Sequence, residues 1–150
     1  MQARRLTCRF EPPEHGWLRV RIESPPTAVS LYASHTPLDS VSELAAVLLR
    51  VLRFQGTGEI GWNLEPDAVL TAFERRGDRI RLRVDTVARG EHATLLEHDD
   101  TARSVVAAFL SGLKQLDAEC AHGEFDAGWR HPFPRDAIAQ LDRLLDAEAK

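Results

Sequence analysis

The sequence predicts an α+β fold in which a largely antiparallel sheet of about six to seven strands packs helices against one of its faces. Several segments alternate apolar and polar residues, which is the pattern of half-buried strands. Other segments repeat apolar residues at helical spacing. The strands are mostly joined by short connections, which favour antiparallel pairing. We therefore expect the element order βββ-α-ββββ-αα.

The strand predictions depend on alternation. In the segment 79–87, Ile80, Leu82 and Val84 alternate with arginines, so that one face of the strand is apolar. The segment 17–23 has the same pattern, and Arg76-Gly77-Asp78 is a hairpin turn leading into 79–87. Further strands are expected over 4–10, 28–34, 60–65, 69–75 and 93–97.

The helix predictions depend on start and stop signals. Ser40-Val41-Ser42-Glu43 matches a capping box, which predicts that a helix starts at Ser40. A second helix is expected over 102–121, with Asp99, Asp100 and Thr101 as its cap and acidic first turn. The stretch 124–134 has the composition of a loop, and Pro134 opens the final helix.

The composition indicates an ordinary globular chain, and residues 1–150 are expected to form a single domain. A net charge of −4 argues against a protein built to neutralise nucleic-acid phosphates. The first residues contain no apolar core typical of a secretory signal, and no apolar run is long enough to cross a bilayer. We expect a cytoplasmic protein with no membrane partner, in which Cys8 and Cys120 are reduced.

Three motifs resemble functional sites but lack the required context. The G-x-G-x-x-G string at 56–61 follows a helix instead of opening one, so we do not expect a nucleotide there. The Arg-Gly-Asp at 76–78 is interpreted as a hairpin turn. The His122-Gly123-Glu124 string has no following cysteine pair to complete a zinc site, and Cys120, His122 and His131 fit no standard ligand spacing. No metal or cofactor is predicted.

One cluster keeps an enzyme open as an alternative. His92, His98 and Asp100 bring imidazoles and a carboxylate close together in the sequence, as acid–base catalysis requires. Asp99 and Asp100 are more economically explained as residues of a helix start. No serine or cysteine has the context of a nucleophile, so we predict no catalytic residue.

The strongest surface signal is a set of arginines on the polar faces of two strands, Arg19 and Arg21 on the first and Arg79, Arg81 and Arg83 on the second. Such a face is either a solvated surface balanced by Glu23, Glu74 and Asp85, or a contact surface for an acidic protein or for RNA or phosphate. Aromatic residues for stacking bases are sparse there, with Tyr32 the main candidate, so nucleic acid is disfavoured. Trp129 is either a further contact residue or part of the core.

The order of several short motifs also resembles a known class of proteins. These motifs are the strand opening Gly16-Trp17-Leu18, the Glu65-Pro66 pair before a charged hairpin, and the stretch 129–134 before a Leu-rich helix. Together they resemble small bacterial proteins of the toxin-immunity type. The resemblance implies a non-enzymatic, cytoplasmic protein that neutralises a cognate toxin by binding it. It carries over no catalytic residue.

Overall fold

A computed structural model describes residues 5–121 and 123–148 of the chain. The described residues form seven strands and four helices. The strands and three of the helices follow the predicted order, and the fourth helix, a short one, was not predicted. The elements are β1 (Thr7–Phe10), β2 (Trp17–Ser24), β3 (Thr27–Ser34), α1 (Ser40–Arg53), β4 (Gly56–Asn63), β5 (Ala68–Arg76), β6 (Arg79–Ala88), β7 (Glu91–Thr101), α2 (Ala102–Glu119), α3 (Glu124–Trp129) and α4 (Arg135–Glu148).

The seven strands form one antiparallel sheet in which neighbours in space are also neighbours in sequence, from β1 at one edge to β7 at the other. Alternate residues of β2, β4 and β6 are buried, so the apolar positions of the period-2 pattern face the helices. The predicted α+β class and the single helix-covered face are therefore confirmed.

The sheet is almost divided between β3 and β4. These two strands pair at one position, Ser34 with Asn63, whereas β2 and β3 pair along their full length. The far end of the β2–β3 hairpin instead reaches β7, where the Ser24 hydroxyl lies 2.8 Å from Nδ1 of His98. Both of these side chains are buried, so their hydrogen bond ties β2 to β7 inside the fold.

Helix α1 begins at Ser40, as predicted, but its N-cap is the preceding residue, Asp39, and the predicted capping box does not form. Asp39 is the N-cap, and its carboxylate accepts hydrogen bonds from the backbone N–H of Ser42 (3.2 Å) and from the Ser42 hydroxyl (2.7 Å). Ser40 is already inside the helix, and its side chain is buried. Only the predicted cap residue was wrong, because aspartate caps a helix as well as serine does and both precede the apolar stripe.

The last strand is longer than predicted. β7 extends from Glu91 to Thr101, so Asp99 and Asp100 belong to the strand and not to the first turn of a helix. Only the Thr101 part of the expected cap is correct, because its hydroxyl accepts a hydrogen bond from the Ser104 N–H (3.1 Å). The segment that we interpreted as a loop likewise contains the short helix α3.

Helix α2 crosses the edge strand β1 at very short range. A Cβ atom at Gly112 would collide with the backbone carbonyl of Cys8, so only glycine lets the two backbones approach this closely. Gly128 of α3 faces the Pro13 carbonyl in the same way. These two contacts fix how the helices lie against the first part of the sheet.

We predict that Gly112→Ala destabilises the protein by up to roughly 2 kcal/mol net, because a colliding backbone carbonyl cannot move without shifting β1, which costs about 1–3 kcal/mol. This cost opposes the gain of about 1 kcal/mol that alanine brings to a helix interior. Urea unfolding followed by tryptophan fluorescence measures the change. Ser111→Ala, an exposed substitution on the same turn, is the control and should change stability by less than about 0.5 kcal/mol. Equal or higher stability of Gly112→Ala would show that the contact is not a constraint.

Candidate functional site on the β2–β3 face

The predicted arginines all lie on the outer, solvent-facing side of the sheet. Arg19 and Arg21 are on β2, and Arg79, Arg81 and Arg83 are on β6; all five are exposed. In the order of strands, however, β3, β4 and β5 separate the two rows. The arginines therefore form two clusters on one face and not a continuous basic surface.

Each of these arginines has a carboxylate within salt-bridge distance. Arg21 with Glu23 (2.9 Å) and Arg83 with Asp85 (3.0 Å) are the expected partners, but they pair along a strand and not across strands. The remaining three pairs were not predicted and are Arg19 with Glu11 (3.2 Å), Arg79 with Asp99 (2.8 Å) and Arg81 with Glu97 (3.1 Å). Glu74 pairs with Arg76 instead. Except for Arg83–Asp85, whose carboxylate is buried, these are exposed pairs. Exposed pairs contribute little to stability, about 0–1 kcal/mol each, so they mainly cancel the local charge.

One of the two clusters carries aromatic side chains. The rings of Trp17 and Tyr32 stack with their centroids 5.2 Å apart, and the Arg19 guanidinium lies over the Tyr32 ring at 5.2 Å. Tyr32 remains 48% exposed. We call these three residues the β2–β3 patch. It presents a rigid, amphipathic surface whose side chains already hold one another in place.

Trp17 was not predicted to belong to this patch. The signal was present, because Trp17 falls on the same face of the alternating strand as Arg19, and Tyr32 falls on the polar face of β3. An aromatic residue on the polar face of a half-buried strand is the feature that could have found it. The cross-strand register, which places Arg19 opposite Tyr32, could not be read from the sequence.

The patch lies beside an open strand edge. The N–H of His35 donates to the carbonyl of Gly16 (2.8 Å), which continues the β2–β3 register. This bond shows which residues of β3 hydrogen-bond with β2 and which alternate residues do not. It follows that Val29 and Leu31 direct their peptide groups toward β2, whereas Ser30 and Tyr32 direct theirs away from it. In the part of the chain that the structure describes, β3 has no strand partner on that side except at Ser34.

Trp129, the sixth proposed contact residue, lies in the core. Its side chain is fully buried, and its indole N–H donates to the Asp39 carboxylate at 2.8 Å. The contact role suggested for it is therefore wrong, and the alternative of a core residue is correct. Phe125 and Phe133, from the same segment, are buried and meet edge to face with centroids 5.0 Å apart.

The structure brings together only part of the histidine cluster. Nε2 of His98 lies 3.7 Å from the Asp100 carboxylate, while Nδ1 of His98 contacts Ser24. His92 is exposed near the start of β7, about 20 Å away at the rise of an extended strand. The resulting Ser24–His98–Asp100 row resembles a catalytic relay, but the Ser24 hydroxyl is enclosed in the fold, where a substrate cannot reach it.

The remaining motifs have structural explanations. The glycine string 56–61 lies within β4, which begins at Gly56 and not at the predicted residue 60, so it lacks the loop-to-helix geometry of a phosphate site. Gly77 occupies the β5–β6 turn with φ +63°, which glycine adopts without strain. Among the described residues, no three His, Cys, Asp or Glu side chains are grouped so as to hold a metal ion, and His122 lies outside them.

Comparisons with known proteins found no matching family model, no matching curated protein and no matching solved structure. No helix within the described residues is both long enough and apolar enough to cross a membrane.

The two cysteines differ in burial. Complete burial raises the pKa of the Cys8 thiol far above its usual range. For the partly buried Cys120, desolvation and then the carboxylates of Glu124, Asp117 and Glu119 also raise the pKa of the thiol. Because the thiolate is the reactive form, both thiols are less reactive than a free cysteine, and Cys8 is also inaccessible.

We predict that iodoacetamide at pH 8 modifies Cys120 slowly and leaves Cys8 unmodified in the native protein, whereas both thiols react after unfolding in guanidinium chloride. Peptide mass spectrometry assigns the modified residue. In the Cys120→Ala variant, the native protein should acquire no label. Rapid labelling of Cys8 under native conditions would contradict the burial of β1 beneath α2.

Proposed function

We propose that this chain is a non-enzymatic protein that binds another protein through the β2–β3 patch. The observation that carries the proposal is the stack of the half-buried Trp17 on the exposed Tyr32, whose ring lies beneath the Arg19 guanidinium. Tryptophan, tyrosine and arginine are the residue types that most often dominate the energy of a protein interface.

The stacking within the patch favours tight binding because the side chains are already ordered. A flexible side chain that becomes fixed in an interface costs about 0.5–1.5 kcal/mol. In the patch, Trp17, Tyr32 and Arg19 restrain one another before any partner arrives. Most of this ordering cost is therefore already met within the free protein.

The open edge of β3 also favours the β2–β3 patch as the binding surface. The peptide groups of Ser30 and Tyr32, which point away from β2, can hydrogen-bond with an extended segment of a partner, while Tyr32 supplies a side-chain anchor. Main-chain hydrogen bonds supply affinity in this mode of recognition, and the neighbouring side chains supply specificity.

The resemblance to toxin-immunity proteins makes a bacterial toxin the partner to test first. A protein that neutralises a toxin acts in the cytoplasm by binding it. A binding surface without assembled catalytic groups is consistent with that role. The ion pairing of the arginines disfavours a nucleic acid, since phosphates would have to displace a carboxylate from each guanidinium. The burial of Ser24 disfavours hydrolysis at the His98 row.

The test is to co-express this chain with each protein encoded by the genes that adjoin its own and to measure growth. We expect one neighbour to be toxic and the chain to restore growth by forming a complex, which isothermal titration with purified proteins then quantifies. Tyr32→Ala should weaken that complex by at least about tenfold, because the patch loses its central ring.

Leu95→Ala is the matched control. Leu95 is also an exposed apolar side chain, 40% accessible, but it lies on β7 and is not one of the three patch residues. Its substitution should leave the dissociation constant within about twofold of the original value. The proposal is wrong if no neighbour-encoded protein binds the chain, or if Leu95→Ala weakens the complex as much as Tyr32→Ala does.

A further inference from the structure

The outer face of the sheet continues from the β2–β3 patch onto the edge strand β1. Thr7 and Arg9 are the exposed residues of β1, and the register places Arg9 directly opposite Arg21 of β2. Residues that are directly opposite on antiparallel strands share a face, with their Cβ atoms about 4.5–5.5 Å apart. Arg21 in turn lies opposite Ser30, two residues from Tyr32 of the patch. Two arginine side chains therefore start from neighbouring positions beside the proposed binding surface.

This pair of like charges is compensated on one side only. Like charges directly opposite each other on a sheet are destabilising. The Arg21 guanidinium donates to the Glu23 carboxylate (2.9 Å) and to the Ser30 hydroxyl (3.1 Å). Among the described residues, the one ion pair of Arg9 is with Glu119 at 3.8 Å, which is too long for a hydrogen bond.

The Glu119 carboxylate is held by another residue of α2. Its Oε1 atom, the one nearest Arg9, accepts a hydrogen bond from the side-chain amide of Gln115 at 3.0 Å. Gln115 and Glu119 are about one helical turn apart, so this bond directs the carboxylate along α2. The Arg9 side chain remains 64% exposed.

The ion pairs of this face leave one positive charge without a close partner. Arg19 pairs with Glu11 at 3.2 Å and Arg21 with Glu23 at 2.9 Å, whereas Arg9 has only the distant Glu119. The whole chain has a net charge of −4. A single surplus cation on such a protein attracts one carboxylate, while a long polyanion would also meet the negative charge around it.

Arg9 and Arg21 also line one groove, which has a volume of about 910 Å³. Two carboxylates line the groove as well. Glu23 is already bound to Arg21, and Asp100 lies just before α2 begins, whereas Arg9 lies beside Glu119 at the last residue of that helix. A carboxylate that enters the groove at Arg9 is partly removed from water, which strengthens its attraction to a guanidinium.

We propose that Arg9 and Arg21 together bind one carboxylate of the protein partner, an aspartate or glutamate side chain that lies beside the segment contacting Tyr32. This inference rests on the function proposed above and adds the charge that the partner presents. The carboxylate accepts a hydrogen bond from each guanidinium and offsets their repulsion. Arg9 gains the close partner that it lacks, while Arg21 keeps its bond to Glu23.

Acetate is the probe for the site itself, added to the free protein at constant ionic strength and followed by NMR through the Nε–Hε signals of the arginines. We expect acetate to shift the signals of Arg9 and Arg21 at least about twofold more than the signal of Arg76. Arg76 is the matched control because its side chain is 85% exposed but lies 2.7 Å from the Glu74 carboxylate. Acetamide, which is neutral, should shift none of them. In Arg9→Gln, the shift at Arg21 should fall to the level of Arg76.

The second measurement uses the complex with the protein encoded by a neighbouring gene. Arg9→Gln should raise the dissociation constant at least about fivefold, and Arg9→Glu should raise it further because attraction becomes repulsion. Both effects should shrink at high salt, which screens exposed charges. Arg76→Gln should leave the dissociation constant within about twofold of the original value.

The outcomes separate this inference from the proposed function. Equal acetate shifts at Arg9, Arg21 and Arg76 overturn the inference whether or not a partner is found. A complex that Tyr32→Ala weakens and Arg9→Gln does not also overturns it, but leaves the proposed function intact. A selective response to acetate without any complex supports the carboxylate site and counts against the proposed function.

A phosphate ligand is the remaining alternative, and the same NMR signals test it. If a single-stranded oligonucleotide shifts Arg9 and Arg21 as selectively as acetate does and at lower concentration, the site recognises phosphate groups, and the inference of a protein carboxylate is wrong. We expect no such selective shift, because one surplus guanidinium group cannot offset a chain of phosphates.

Discussion

The near-complete separation of β3 from β4 is the constraint on which the rest of the structure depends. Elsewhere in the sheet, short turns join consecutive strands and fix their register, as at residues 77–78 and 89–90. Between β3 and β4 the chain instead forms the 14-residue helix α1, and the two strands meet only where Ser34 faces Asn63. The β2–β3 hairpin is held from its other end by the buried hydrogen bond between Ser24 and His98.

The candidate surface follows from this arrangement. Because β4 pairs with β3 only at Ser34, the peptide groups of Ser30 and Tyr32 that point away from β2 have no strand partner among the described residues. The ring of Tyr32 is exposed on the same strand, beside Trp17 and Arg19. The helices bury the other face of these strands.

Much of the fold could be predicted because alternation and helical spacing are local properties. The segments around Ile80 and Leu82 could only be strands with one apolar face. Helix ends were less predictable, since Asp39 and Ser40 are both good caps and only packing decides between them. The site depends on register: nothing local reveals that Arg19 lies opposite Tyr32, or that Arg81 pairs with Glu97 sixteen residues away. The sequence alone is equally compatible with a solvent-exposed Trp129, because its burial depends on the positions of Asp39 and α3.

Amide hydrogen exchange in β3, measured by NMR on the free protein, tests the central claim most directly. If this edge is open beside the patch, the amides of Ser30 and Tyr32 should exchange at least about tenfold faster than those of Val29 and Leu31, which are bonded to β2. Adjacent residues would then alternate between fast and slow exchange. Equal protection of all four amides would mean that another part of the chain covers the edge, and the proposed binding surface would not exist.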